Sequence, residues 1–364
     1  MISTFARKIY TYRILQLLVI IILLFLSSEV SGIGYPIIGG DDELGSAVWI
    51  GTGELVVTND EDFYKDHPAP VFRKELLIEK KVSSATLYIT AAGYYRASLN
   101  GKRIGKNYLD PAWTDYSKRI YYTEYDLTTT IKQGTNCLGV TLGNGFYNPL
   151  PLRMWGHLNL REHLPTGNPV FIARLKVEYS DGQTEEFITD GSWKFSCGPV
   201  KRNNVYLGDW YDARDEIDGW DQAGFNESQW ENVVVQDGPG GRLQKSFFPP
   251  IQVTDRITPV SISPAGAYGN YLVDMGVNFT GHYRIHLRGE PDDTVTFRFG
   301  ERIYDDGRLN PMTAVAGQIK RSGVGGPGAP DTAWQADVYI FGANADIVYS
   351  PEFTFHTYRY MEIS

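Results

Sequence analysis

The sequence predicts an all-β protein: two or more antiparallel, jelly-roll-like β-sandwiches in tandem behind a signal peptide. Three observations carry this expectation. Apolar residues recur with period two in many short runs, and no stretch keeps a 3.6-residue apolar period over three or four turns. Glycine makes up 38 of the 364 residues, above the usual share of about 7%, as turn-rich β-proteins show. The N-terminus has a composition of its own, unlike the rest of the chain.

That N-terminus comes first. Arg7, Lys8 and Arg13 precede an apolar run from Leu15 to Leu26 that only Gln16 interrupts, and small and polar residues follow from Ser27 to Gly32. This is the layout of a secretory signal peptide. The run is well short of the ~20 residues that a membrane span needs, so no stable membrane span is expected and the mature chain is expected to be exported, periplasmic or secreted. Residues 1–32 are assigned to the signal, 33–74 to an extension with the first strands, 75–240 to a first sandwich and 241–364 to a second.

The strands follow in order. Leu87, Ile89 and Ala91 alternate in one run, and Tyr95, Ala97 and Leu99 in the next, which turns at Asn100-Gly101 toward Ile104. Asn-Gly between such runs is a strong hairpin signal, because both turn positions require positive φ. Phe171, Ala173, Leu175, Val177 and Tyr179 alternate, turn at Asp181-Gly182 and return through Phe187. Gln236 to Arg242 reads as a linker, rich in glycine and followed by Pro249-Pro250. Val295, Phe297 and Phe299 follow the Pro291-Asp292-Asp293 turn, and Phe353 and Phe355 alternate near the C-terminus. The stretch from Ser322 to Asp331 holds four glycines and two prolines and reads as a long loop inside the second sandwich.

Composition excludes some functions. Formal net charge is −9 and no basic cluster stands in the mature part, so nucleic acid is not an expected partner. Only Cys137 and Cys197 are present. Two cysteines cannot build a Cys-based zinc site; a disulfide between them is open in an oxidising compartment, and Cys137 in Asn-Cys-Leu-Gly-Val also suits a small buried apolar residue. His282 and His286 stand four apart, which on a strand places both on one face without making a metal site.

A resemblance rests on an ordered series of motifs. Tyr95-Arg96-Ala97-Ser98-Leu99-Asn100-Gly101-Lys102-Arg103-Ile104-Gly105 opens it, followed by Asp110-Pro111-Ala112-Trp113-Thr114-Asp115-Tyr116 and Leu142-Gly143-Asn144-Gly145-Phe146-Tyr147. Tyr211-Asp212-Ala213-Arg214 and Gly219-Trp220-Asp221 come later. Together they resemble the N-terminal domain of glycoside hydrolase family 78, the bacterial α-L-rhamnosidases. Asp274-Met275-Gly276-Val277-Asn278-Phe279, Phe299-Gly300-Glu301 and the run Phe353 to Tyr360 resemble the concanavalin-like domain that follows it.

The resemblance implies a rhamnose-containing glycan as partner. It implies inverting hydrolysis by acidic residues on a helical barrel, which the matched region does not include. Inversion needs an acid and a base held apart on a rigid scaffold, so no catalytic residue is carried over to Asp115, Asp209, Asp212, Asp215 or Glu301. A separate catalytic domain is an expected partner. Related N-terminal domains also include a calcium-assisted rhamnose-binding module, which makes sugar binding the leading expectation. Sugars present apolar faces to aromatic rings and hydroxyls to amides and carboxylates. The sugar-binding candidates are Asn144 with Phe146 and Tyr147; Trp113 with Asp115 and Tyr116; and Trp155 with Asp209-Trp210-Tyr211, where Asp209 and Tyr211 are the chosen contacts. Phe146 stands where the family usually has Trp. Calcium is open: Asn144 offers one oxygen, while Gly143 before it offers no side-chain ligand. Two other readings stay open, an active rhamnosidase completed by another chain and a structural exported protein without sugar binding.

Overall fold

The structure is a computed structural model that describes residues 43–54, 57–266 and 269–364. The signal-peptide assignment lies outside the described residues. Among them there is no α-helix; five short 3-10 turns accompany the strands. The all-β expectation holds, with two sandwiches in tandem.

The first sandwich packs a seven-stranded sheet against a six-stranded one. Long strands Val82–Ala92 and Val170–Tyr179 run antiparallel at the middle of the first sheet, with Leu87 opposite Leu175 and Ile89 opposite Ala173. Pro70–Ile78, Gly134–Gly143 and Tyr94–Leu99 form the middle of the second. The alternating residues of these strands meet in one core of Ile, Leu, Val and Ala with Phe72, Phe171 and Trp193. Burial of such side chains contributes about 1.5–3 kcal/mol each. Both expected hairpins form: Asn100 and Gly101 take φ of 52° and 76°, and Gly182 takes 82°.

The second sandwich has a seven-stranded sheet on one side and the pair Ile285–Arg288 with Asp346–Tyr349 beside it. Its core is aromatic: Phe297, Phe299, Tyr339, Phe341, Tyr349 and Tyr358. The C-terminal run differs from its alternation. Phe353 and Phe355 precede the strand His356–Ile363, because the backbone bends there to donate the Glu352 and Phe353 N–H groups to Asp209.

Sheet membership is not collinear with sequence. Val200–Asn204 and Gly208–Asp212 leave the first sandwich and join the second sheet system, where Gly208–Asp212 lies parallel to Ala336–Ile340. Conversely, Arg242–Lys245 lies parallel to Arg119–Asp126 in the first sandwich. The stretch read as a linker runs between that strand and Val234–Gln236, which pairs with Trp49–Gly51.

A seat joins the sandwiches. Phe353 packs over Gly143, where a Cβ would lie 2.4 Å from its ring. The glycine-proline loop also crosses over: Gly325 accepts the Arg153 N–H at 2.9 Å, and Ile319 packs with Leu152 and Met154. Residues 213–230 cover the outer face of the second sheet and are held there by buried Arg73. Its guanidinium donates to the carbonyls of Trp220 at 2.8 Å and Gln222 at 3.1 Å and pairs with Glu75 and Glu227. Beside it, Cys137 is a buried thiol, which burial pushes up to about 11; Cys197 is an exposed free thiol.

Candidate functional site

Where the two sandwiches meet, a pocket of about 390 Å³ opens on the face of the second sheet turned away from its aromatic core. Strand register builds its floor. Arg202, Trp210 and Val338 are cross-strand neighbours, and the Arg202 guanidinium lies 4.2 Å from the Trp210 ring centroid. Trp334 stands beside them. One wall comes from the 3-10 turn Asp60–Tyr64 and its neighbour Lys65, another from Asn144, Asn148, Asn203 and Asn204.

Asn144 acts as a bracket. Its backbone N–H donates to the Asn203 side-chain oxygen at 2.6 Å, its amide donates to the Asn203 carbonyl at 3.0 Å, and its oxygen accepts from Asn148 at 3.0 Å. It therefore ties the end of Gly134–Gly143 in the first sandwich to Val200–Asn204 in the second.

Asp209 is the buried acid behind the pocket: next to Trp210 on its strand, it turns its side chain to the opposite face, toward the aromatic core. Gly208 before it permits the close approach of its strand, since a Cβ there would lie 2.1 Å from the Ala336 carbonyl. One carboxyl oxygen accepts the N–H groups of Glu352 and Phe353 at 3.1 and 3.0 Å. The other is buried without a partner. Its own N–H donates to Asp337 at 2.8 Å, and Asp337 pairs with wholly buried His356 at 2.8 Å. Burial, reinforced by the nearby Asp337 carboxylate, holds the Asp209 carboxyl well above the usual carboxylate range. Tyr64, a lining residue, has a buried hydroxyl without a partner.

The structure brings Asn144 and Asp209 together and disperses the other candidates. Tyr116 and Tyr147 meet edge to face at 5.2 Å inside a closed cluster, where no ligand reaches their rings. Asp115 closes an exposed turn through Ser117 and Lys118. Trp113 is half exposed and stacks on Phe146 at 4.4 Å. Trp155, also exposed, is at a hairpin tip with φ of 52°. Tyr211 stacks on Tyr339 at 5.5 Å and lines a different groove. His282 precedes the strand that holds His286; it packs on Tyr108, and His286 pairs with Asp346. Trp210 stood in the Asp209-Trp210-Tyr211 cluster read from the sequence; Trp334, Asn203 and Asn204 went unselected.

Calcium fits this pocket poorly. The ion takes six to eight oxygens, several of them charged. Among the lining residues Asp209 is the one acid, and its surroundings favour the neutral form. The two cations of the lining, Lys65 and Arg202, are already paired with Asp62 and Asp66. The site suits an uncharged hydroxylated ligand.

Comparison with known proteins places this architecture. Residues 80–255 match the family model of the α-L-rhamnosidase N-terminal domain, and residues 266–364 that of the bacterial α-L-rhamnosidase concanavalin-like domain. An α-L-rhamnosidase of Streptomyces avermitilis is 33% identical over 79% of the chain and 26% of its own length. One from Formosa agariphila is 32% identical over 81% of the chain and 30% of its own length. The chain thus spans about a quarter to a third of these relatives. The structure of the Dictyoglumus thermophilum α-L-rhamnosidase superposes with a TM-score of 0.73 at 35% identity, covering 89% of this chain and 34% of that one. The Streptomyces avermitilis enzyme complexed with L-rhamnose gives 0.71 at 30% identity, covering 82% and 27%. With both domains matched in order, the chain belongs to the α-L-rhamnosidase family and carries its N-terminal and concanavalin-like domains.

Proposed function

We propose that the chain is the exported, carbohydrate-binding part of an α-L-rhamnosidase and that it holds a terminal L-rhamnose in the pocket between its sandwiches. One observation carries this reading: Trp210 and Trp334 share the pocket with four asparagines. Indole rings take the apolar face of a sugar, while the polar groups fix its hydroxyls. The pocket's volume suits one sugar ring. No charged acid pair faces across it, so its residues bind and orient and do not hydrolyse. Among the described residues no helix is long and apolar enough to cross a membrane.

A second reading is favoured by relatives about three times as long. In it the two sandwiches position a glycan for a catalytic domain carried elsewhere. Calorimetric titration with L-rhamnose tests the binding reading. Millimolar or tighter binding is expected, unchanged by a calcium chelator and lost in Trp210→Ala; no heat from the folded wild-type chain would overturn it.

A further inference from the structure

A second, larger cavity lies on the other side of the junction. It is a groove of about 720 Å³ between the first sandwich and the 346–353 segment of the second. Its floor is a cross-strand row on the outer face of the first sandwich: Val71, Thr141 and Arg96 sit side by side on three neighbouring strands. One wall is the 216–221 loop that Arg73 clamps through the Trp220 carbonyl; the other carries Val348, Tyr349 and Glu352. Both walls are thus set by groups already bonded, and the groove is preformed.

We infer that this groove is a second carbohydrate-binding site, for a neutral oligosaccharide segment, separate from the rhamnose pocket. Three observations support it. The Thr141 hydroxyl on the floor is buried and has no hydrogen-bond partner, a situation that costs about 1–3 kcal/mol until a partner arrives. The carboxylates of Asp218 and Asp221 line the groove with no side-chain hydrogen bond or ion pair among the described residues, ready to accept from sugar hydroxyls. Trp220 and the Tyr211–Tyr339 stack add aromatic surface.

Charge selects the ligand class. Arg96 is the one cation of the lining, and Glu352 neutralises it at 3.3 Å. Asp346 is paired with His286 and Arg288, while Glu216, Asp218 and Asp221 leave the groove negative, which repels uronates and sulfated sugars. The acids are spread over both walls; among the described residues no three lie close enough to hold a metal ion. The groove has nearly twice the volume of the pocket, room for more than one ring. This inference stands whether or not the pocket takes rhamnose.

The test is calorimetric titration of the whole chain with a neutral rhamnose-containing trisaccharide and with a trisaccharide carrying one uronic acid. Val348 is exposed, so Val348→Trp fills the groove without disturbing a core. Val348→Trp is expected to weaken the neutral trisaccharide more than tenfold, and Thr141→Val about fivefold, the effect of one hydrogen bond. Trp210→Ala is expected to leave groove binding in place, and the uronate-bearing sugar to bind more weakly. Absence of trisaccharide binding, binding indifferent to Val348→Trp, loss in Trp210→Ala alone, or preference for the uronate would each overturn the inference. Circular dichroism of each variant separates loss of binding from loss of fold.

Discussion

The two sandwiches are built on different principles. The first closes on itself: two broad sheets enclose an aliphatic core with regular alternation on every long strand. The second has an aromatic core, a narrow second layer and a main sheet that borrows Val200–Asn204 and Gly208–Asp212 from the middle of the chain. Its outer strands are bare, with Val260 68%, Ile262 63% and Val277 53% exposed. Stability in the first is therefore spread over many apolar contacts. The second adds to its aromatic core a set of buried polar contacts at the junction, near the binding pocket.

Breaking those contacts should separate the two regions. Asp337→Ala removes the partner of buried His356 and of the Asp209 N–H, and loss of such a buried pair costs about 3–5 kcal/mol. Calorimetry should then show the second sandwich melting ahead of the first; a single transition shifted as a whole would mean the sandwiches are one cooperative unit. Gly143→Val drives a side chain into the Phe353 ring and should cost about 1–3 kcal/mol by overpacking, read as faster hydrogen exchange in 353–363 while the first core stays protected.

Asp209 sharpens the contrast through pH. Its folded-state pKa stands above the ordinary 3.8, so the folded protein holds this proton more firmly than the unfolded chain. Its favourable contribution is complete below that ordinary value and is lost as pH rises through the folded value. Asp209→Asn, which keeps an oxygen for the Glu352 and Phe353 N–H groups, should flatten the fall of Tm as pH rises above the ordinary carboxylate range. A profile parallel to wild type would show that Asp209 is ionised at all pH values tested. The smallest effect is expected at Trp113. It is 48% exposed and stacks only on Phe146 and its surroundings, so Trp113→Ala should change stability by no more than about 0.5–1.5 kcal/mol and leave rhamnose binding unchanged.

This difference also explains what could be read in advance. Period-two alternation and the Asn100-Gly101 and Asp181-Gly182 turns are local, and they placed the first sandwich's strands correctly. Parallel pairing of Gly208–Asp212 with Ala336–Ile340 joins residues more than a hundred positions apart and leaves no local trace. The pocket inherits that difficulty. Asn144 and Asp209 were visible as polar residues in aromatic surroundings, but Trp334 and Asn203 belong beside them only after strands have exchanged between sandwiches. Tyr116 and Tyr147 misled because an aromatic ring serves core packing and sugar stacking equally well. Only burial separates the two roles.

The junction itself is the element to test. A crystal structure of the chain soaked with L-rhamnose should show the sugar beside Trp210 and Trp334, with hydroxyls near the Asn144–Asn203 bracket. Rhamnose bound instead on the Trp113–Phe146 stack or the Trp155 hairpin, with that pocket empty at saturating sugar, would contradict it.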